Sequence, residues 1–271
     1  MSYKTHSAQT KLLIFLGALV LGSANSFALT FSEIQEKAEN LHLRGERKQA
    51  AGFLLQNISK RTDMEEIATL THSLNVVVRH YYKTKTLQEF ELARGKFVTD
   101  TVGAIGNIEK AHALEPDHFE VNHLRAWLNL RQNRCKTAED SIQKMQLLSP
   151  FDKAIGPIEI LLFACKKDQT YSVTKDVVST PGEILSLVHY YWQIGDKAKV
   201  QKYTDLLQNQ VGDHPEVHFY RGQLSEKGSE QWKYYMQNYV KECRKALKAD
   251  WRQIDPWTCR SLANIVVGDE S

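Results

Sequence analysis

Several kinds of protein are excluded by what this 271-residue chain lacks. There is no CxxC, so a thioredoxin-like redox pair or a zinc ribbon is without its usual spacing. GxSxG, the Walker phosphate loop and GxGxxG are all missing, and with them the common signatures of hydrolases, nucleotidases and dinucleotide enzymes. No stretch alternates apolar and polar residues for long enough to make a sheet, which leaves an all-α reading. The longest apolar run extends only from Leu12 to Leu21, against the roughly 20 residues that a bilayer span requires.

That short run has another use. Lys4 and Lys11 are the only charges of residues 1–28, and Ser26-Phe27-Ala28 places small residues at the −3 and −1 positions of a cleavage site. The segment reads as an export signal, and residues 29–271 as the mature domain. No cysteine stands near that site to take a bacterial lipid anchor. Without Lys4 and Lys11, the 35 basic residues become 33 against 32 acidic ones. A near-neutral mature chain has no electrostatic reason to seek nucleic acid or an anionic membrane. Export also explains the four cysteines, Cys135, Cys165, Cys243 and Cys259: an even number in an oxidising compartment favours disulfides, in any of three pairings. The expected location is the periplasm. Secretion from a eukaryotic cell is the alternative, because Asn57-Ile58-Ser59 is a glycosylation acceptor pattern.

A repeat organises the rest. Residues 108–116 read IEKAHALEP and residues 142–150 read IQKMQLLSP, 34 positions apart. Ala104/Ala138, Ile108/Ile142, Ala111/Met145, Leu114/Leu148 and Pro116/Pro150 all keep that interval. Spacings of four and three put these side chains on one helical stripe, and the proline stops each helix. This pattern resembles the tetratricopeptide repeat family, whose helix-turn-helix unit is 34 residues long. Counted from Phe119, the family's small and turn positions fall on Ala126, Asn133, Ala138, Ile142 and Pro150; counted from Phe31, they fall on Ala38, Gly45, Ala50 and Leu54. A third place, Gln193-Ile194-Gly195-Asp196-Lys197, departs from the pattern, with Val200 where alanine is usual and Pro215 three residues late.

The resemblance implies a right-handed superhelical array of antiparallel helix pairs. Its clearest units are 31–64, 85–118, 119–152 and 181–215, followed by a C-terminal capping helix from Pro256 that carries Leu262, Ile265 and Val266. Ser32-Glu33-Ile34-Gln35 fits a capping box at the first helix. Met64–Lys83 reads as one helix, and Leu87–Leu114 reads as a single long one, since Leu92 stands where the family has a small residue. A long helix from Glu230 to Ala249 is expected to bury Trp232, Tyr235, Tyr239, Cys243 and Ala246. Stacked units would bring Cys135 near Cys165 and leave Cys243 for Cys259.

The same resemblance assigns an inner wall to the first helix of each pair. Carried over, it gives Glu39 and His42; Glu120, His123, Trp127 and Arg131; and His189 and Trp192. Tryptophan and arginine on one wall suit the capture of an extended peptide or a helix. The ten histidines form no metal motif. In His214-Pro215-Glu216-Val217-His218 the glutamate does not follow the first histidine, and Pro215 makes His214 a cap. Two similar clusters, Arg79-His80-Tyr81-Tyr82 and Val188-His189-Tyr190-Tyr191-Trp192, read as aromatic packing between helices. The expectation is therefore a non-catalytic interaction scaffold, without metal or cofactor, binding a protein or peptide of the cell envelope. The competing reading is a cell-wall or carbohydrate-binding protein with weak hydrolytic activity.

Overall fold

The computed structural model describes residues 29–97, 100–168 and 180–248, together with Cys259. The proposed signal and the helix expected from Pro256 lie outside the described residues. Twelve helices and no strand occur among the described residues: α1 (Phe31–Leu43), α2 (Arg47–Ile58), α3 (Met64–Arg79), α4 (Thr84–Lys96), α5 (Thr101–Leu114), α6 (Phe119–Arg131), α7 (Cys135–Leu148), α8 (Ile155–Lys166), α9 (Pro181–Gln193), α10 (Lys197–Val211), α11 (Pro215–Leu224) and α12 (Glu230–Lys248). Helices adjacent in sequence pack in pairs, notably α1 with α2, α4 with α5, α6 with α7, α9 with α10 and α11 with α12. Short turns between packed neighbours make each pair antiparallel, as in a helical repeat array. None of the described helices is long and apolar enough to cross a membrane.

The repeat positions explain the tight turns. Gly45, Asn133 and Gly195 have φ of 75°, 56° and 81°, the left-handed conformation that a Schellman helix end requires. Each turn closes with the same long bond, from Glu46 N to Leu41 O, Arg134 N to Asn129 O and Asp196 N to Tyr191 O. Asparagine and glycine tolerate that conformation; most other residues do not. Pro116 and Pro150 act on the residue before them. Glu115 (φ −139°, ψ 79°) and Ser149 (φ −154°, ψ 76°) leave the helical region, and their N–H groups donate back to Ala111 O and Met145 O. Ala38, Ala50, Ala126 and Ala138 are buried where the paired helices meet.

Four local expectations change. The first capping box is built by Thr30 and Glu33, not from Ser32, because the helix already begins at Phe31. The helix from Met64 ends at Arg79, since His80 turns to extended backbone with ψ 132°. Residues 84–114 are two helices: Asp100 accepts the Gly103 N–H at 2.8 Å and starts α5 afresh. In α12, Met236, Tyr239 and Cys243 are buried, whereas Trp232 and Tyr235 are only half-buried.

The array is interrupted at α3, which has no second helix of its own. As a result α2 reaches across to α7, and α3 packs directly on α6. The α4–α5 hairpin is set to one side with its own apolar cluster, including Phe90, Ala93, Ile108 and Ala111, against Val121, Leu124 and Leu128 of α6. The main core runs through α1, α2, α3, α6, α7 and α8. A separate core, richer in tyrosine, holds α8 to α9, α10 and α11. Two disulfides close the structure, Cys135–Cys165 and Cys243–Cys259, with Cα separations of 5.7 and 5.6 Å.

Candidate functional site

Helices α1, α3, α6 and α8 form a continuous row, each touching the next. Among the wall residues read from the sequence, Glu39 is exposed, whereas His42, Glu120 and His123 are half-buried on this row. Arg79, at the last position of α3, links them. Its Nε donates to Glu120 Oε1 at 2.7 Å, its Nη1 to Asn75 Oδ1 at 3.0 Å, and its Nη2 to Asp152 in the turn before α8. The guanidinium lies 4.3 Å from the ring centre of Phe119. Burial opposes its charge, but Asp152 and Glu120 outweigh burial and raise its pKa further. One cation therefore faces two carboxylates.

Beside Arg79 the chain turns outward, and three rings meet. His42 Nδ1 and Tyr82 Oη are 2.8 Å apart, and the rings of His42, His80 and Tyr82 stand 4.9–5.4 Å from one another. Burial, then the nearby His80 and Arg47, depress the His42 pKa, which favours its neutral form. Tyr81 points the other way, stacking on His118 at 3.8 Å and packing against Phe90. Half of this aromatic cluster thus packs between helices as expected. His80 and Tyr82 instead extend the half-exposed row.

The remaining wall residues are placed differently. Trp127 lies beneath the row at 5% exposure, and its Nε1 donates to His123 Nε2 at 3.0 Å. That bond requires the His123 tautomer with the proton on Nδ1, and burial lowers the His123 pKa. Helix α6 packs on both α3 and α8, and Trp127, one turn beyond His123, belongs to the main core. Arg131 reaches back to the end of α4, donating to Phe97 O at 3.1 Å. His189 and Trp192 belong to the tyrosine-rich core: His189 Nδ1 lies 2.9 Å from Tyr220 Oη, and the Trp192 ring stands at an angle to Tyr220. Glu39, His42, Glu120 and His123 therefore gather along one row, while Trp127, Arg131, His189 and Trp192 do not join that surface.

A second junction fixes the row from behind. Arg47 at the start of α2 and Glu115 in the α5–α6 turn are each 5% exposed and meet at 2.6 Å. Arg47 also donates to the carbonyls of Val77 and His80, and its guanidinium covers the Tyr82 ring at 4.7 Å. Glu115 accepts the N–H groups of Lys83 and Tyr82 at 2.9 and 3.3 Å. Burial opposes its ionisation, yet the bonds from Arg47 and Lys83 hold its carboxyl below the usual range. A cleft of about 430 Å³ opens beside this pair, bordered by Lys48, Lys83 and Asp117. Lys48 pairs with Asp117 at 3.0 Å, and Lys83 Nζ donates to Leu114 O.

Arg47, Arg79, Glu115 and Asp152 were not legible as site residues, because each is defined by a partner at least 32 positions away in the chain. No group of three His, Cys, Asp or Glu side chains able to hold a metal ion occurs among the described residues. His214 caps α11, accepting the Glu216 N–H at 3.2 Å, as its place before Pro215 implies. Compared with models of known protein families and with curated proteins, the chain matches none.

Proposed function

We propose that the protein is a non-catalytic, tetratricopeptide-type scaffold of the cell envelope, periplasmic after export, that holds an extended segment of a partner protein along the α1–α3–α6 row. The observation that carries this reading is the half-exposed series His42, Arg79 and Glu120, fixed by ion pairs and ring contacts while still open to solvent, with the exposed Glu39 beside it on α1. Side chains already held in place lose little entropy when a partner arrives. Carboxylates outnumber the arginine, so a segment bearing a lysine or arginine suits the row best.

The test uses the double variant Glu39→Lys, His42→Ala. Both residues lie outside the apolar core, so circular dichroism and the melting temperature should match the parent. Affinity purification from envelope extract should then lose the partner that co-elutes with the parent protein. An identical set of co-eluting proteins would reject the row as the binding surface.

A further inference from the structure

The two disulfides occupy opposite surroundings. Cys243 is fully buried and Cys259 is 7% exposed, in a cluster with Tyr239, Phe219 and Val240. Cys135 and Cys165 are both half-buried, where α7 begins and α8 ends. The chain around this first bridge is cationic. Arg134 and Lys136 flank Cys135, Lys166 and Lys167 follow Cys165, and all four are exposed. Two carboxylates also lie close in the chain: Glu139, 2.6 Å from Lys166, and the half-buried Asp168, which follows Lys167.

Its two sulfurs are not equivalent either. Cys135 is the first residue of α7, whose N-cap Arg134 makes no side-chain capping bond and whose first turn contains no acidic residue. The unpaired N–H groups and the positive end of the helix dipole therefore lie beside Cys135. Cys165 stands in the last turn of α8, at the negative end of its helix. A thiolate is better stabilised at Cys135, which makes that sulfur the better leaving group.

We propose that Cys135–Cys165 is a thiol–disulfide exchange site, opened by an external dithiol that attacks Cys165 Sγ and expels Cys135 as the thiolate. The attacking thiolate, its proton already lost to solvent, forms a bond to Cys165 Sγ while Cys135 Sγ takes the electron pair of the old bond. The second thiolate of the dithiol then attacks its own sulfur in this mixed disulfide and expels Cys165. Two electrons pass to the protein, the dithiol becomes a disulfide, and solvent protonates the released thiolates. The opened bridge frees the start of α7 from the end of α8, at one edge of the cleft lined by Ile142, Gln146, Glu159 and Phe163. The Cys243–Cys259 bridge stays closed, because a nucleophile reaches it only after local unfolding.

The whole protein is treated with limiting dithiothreitol, quenched with iodoacetamide at intervals and mapped by mass spectrometry. Cys135 and Cys165 should be alkylated more than about tenfold faster than Cys243 and Cys259, since the buried pair must first open. A parallel treatment with glutathione should place the adduct on Cys165 with Cys135 alkylated. The excess over the reverse product should be about threefold for each unit of difference in thiol pKa. The double variant Arg134→Glu, Lys136→Glu alters only exposed charge and should slow opening and reduce that excess. Equal rates for the two bridges, or an adduct that is not in excess on Cys165, overturns the proposal.

Discussion

The half of the molecule before residue 169 and the half from Thr180 onward hold their helices together by different means. In the first half, buried charges join segments distant in sequence. Arg47 and Glu115 tie α2 to the α5–α6 turn; the buried Arg125 also joins α5, α6 and α7, through Ser141 and the more exposed Glu109 and Asp140. In the second half the largest buried side chains are Tyr190, Tyr220 and Tyr239, and the Tyr191 and Tyr203 rings stack 5.4 Å apart. Its Arg221–Asp205 pair is half-exposed, and its buried carboxylate, Glu216, receives the Cys259 N–H. The difference follows from the interruption at α3. Where a second helix is missing, apolar surface alone does not define how α2 meets the α5–α6 turn, and a directional ion pair does. Where pairs follow one another regularly, as in α9–α12, apolar and aromatic packing carries more of the joining and no buried ion pair is seen among the described residues there.

The largest expected effect separates these two kinds of attachment. Arg47→Met leaves Glu115 charged, buried and without its cation, which should destabilise the protein by about 3–5 kcal/mol. Arg221→Met removes a half-exposed pair and should change stability by no more than about 1 kcal/mol. Urea unfolding of both variants measures the contrast, and the double variant Arg47→Met, Glu115→Leu should recover part of the loss, since it removes the uncompensated charge but leaves the Tyr82 and Lys83 N–H groups without their acceptor. Equal losses for Arg47→Met and Arg221→Met would remove the distinction between the halves.

Acid provides the next contrast, because each half caps a helix with a histidine. His118 caps α6 and accepts the Val121 N–H at 3.4 Å; His214 caps α11. Burial, then Arg47, pushes the His118 pKa down to about 3, and burial, then His218, pushes that of His214 down to about 4. From pH 6.5 downward the unfolded chain therefore takes up protons that the folded chain refuses. Each histidine lowers stability progressively as pH falls, until its folded pKa is reached. Asparagine keeps a capping oxygen and does not titrate. His118→Asn should flatten the fall in melting temperature between pH 6.5 and 4 more than His214→Asn does, and the opposite order would contradict the deeper burial at α6.

Much of the local structure was legible because it is set by single residues. The left-handed turns at Gly45, Asn133 and Gly195, the stops before Pro116 and Pro150 and the buried alanines of the paired helices all follow from backbone and side-chain size. Glu39 and His42 lie on α1 and Glu120 and His123 on α6, none of them fully buried. Trp127 shows where that reasoning stops: helix phase gives the direction of a side chain, but not whether a neighbouring helix covers it, and Trp127 is 5% exposed. The break at Asp100 was hidden because Leu92, taken as unsuited to a tight pair, is about half-exposed on α4 and makes no demand on its partner. The Arg79 and Arg47 junctions were illegible for a different reason. Each joins segments whose proximity depends on α3 lacking a second helix, and no local pattern records that.

The finest comparison lies in two similar pairs, His42 with Tyr82 and His189 with Tyr220, separated by 2.8 and 2.9 Å. The first is half-exposed on the proposed binding row. The second is buried, with His189 at 8% and Tyr220 at 1% exposure. Removing the hydroxyl from the buried pair breaks a hydrogen bond at a site with little solvent exposure, so Tyr220→Phe should destabilise the protein by about 1 kcal/mol. At the row, water replaces the lost partner, and Tyr82→Phe should change stability by less than about 0.5 kcal/mol. If the row binds a partner, Tyr82→Phe should instead act on affinity, because a free His42 ring is no longer held in one orientation. A Tyr82→Phe variant with a clear loss of stability and an unchanged affinity would mean that this ring pair is structural, as its buried counterpart is.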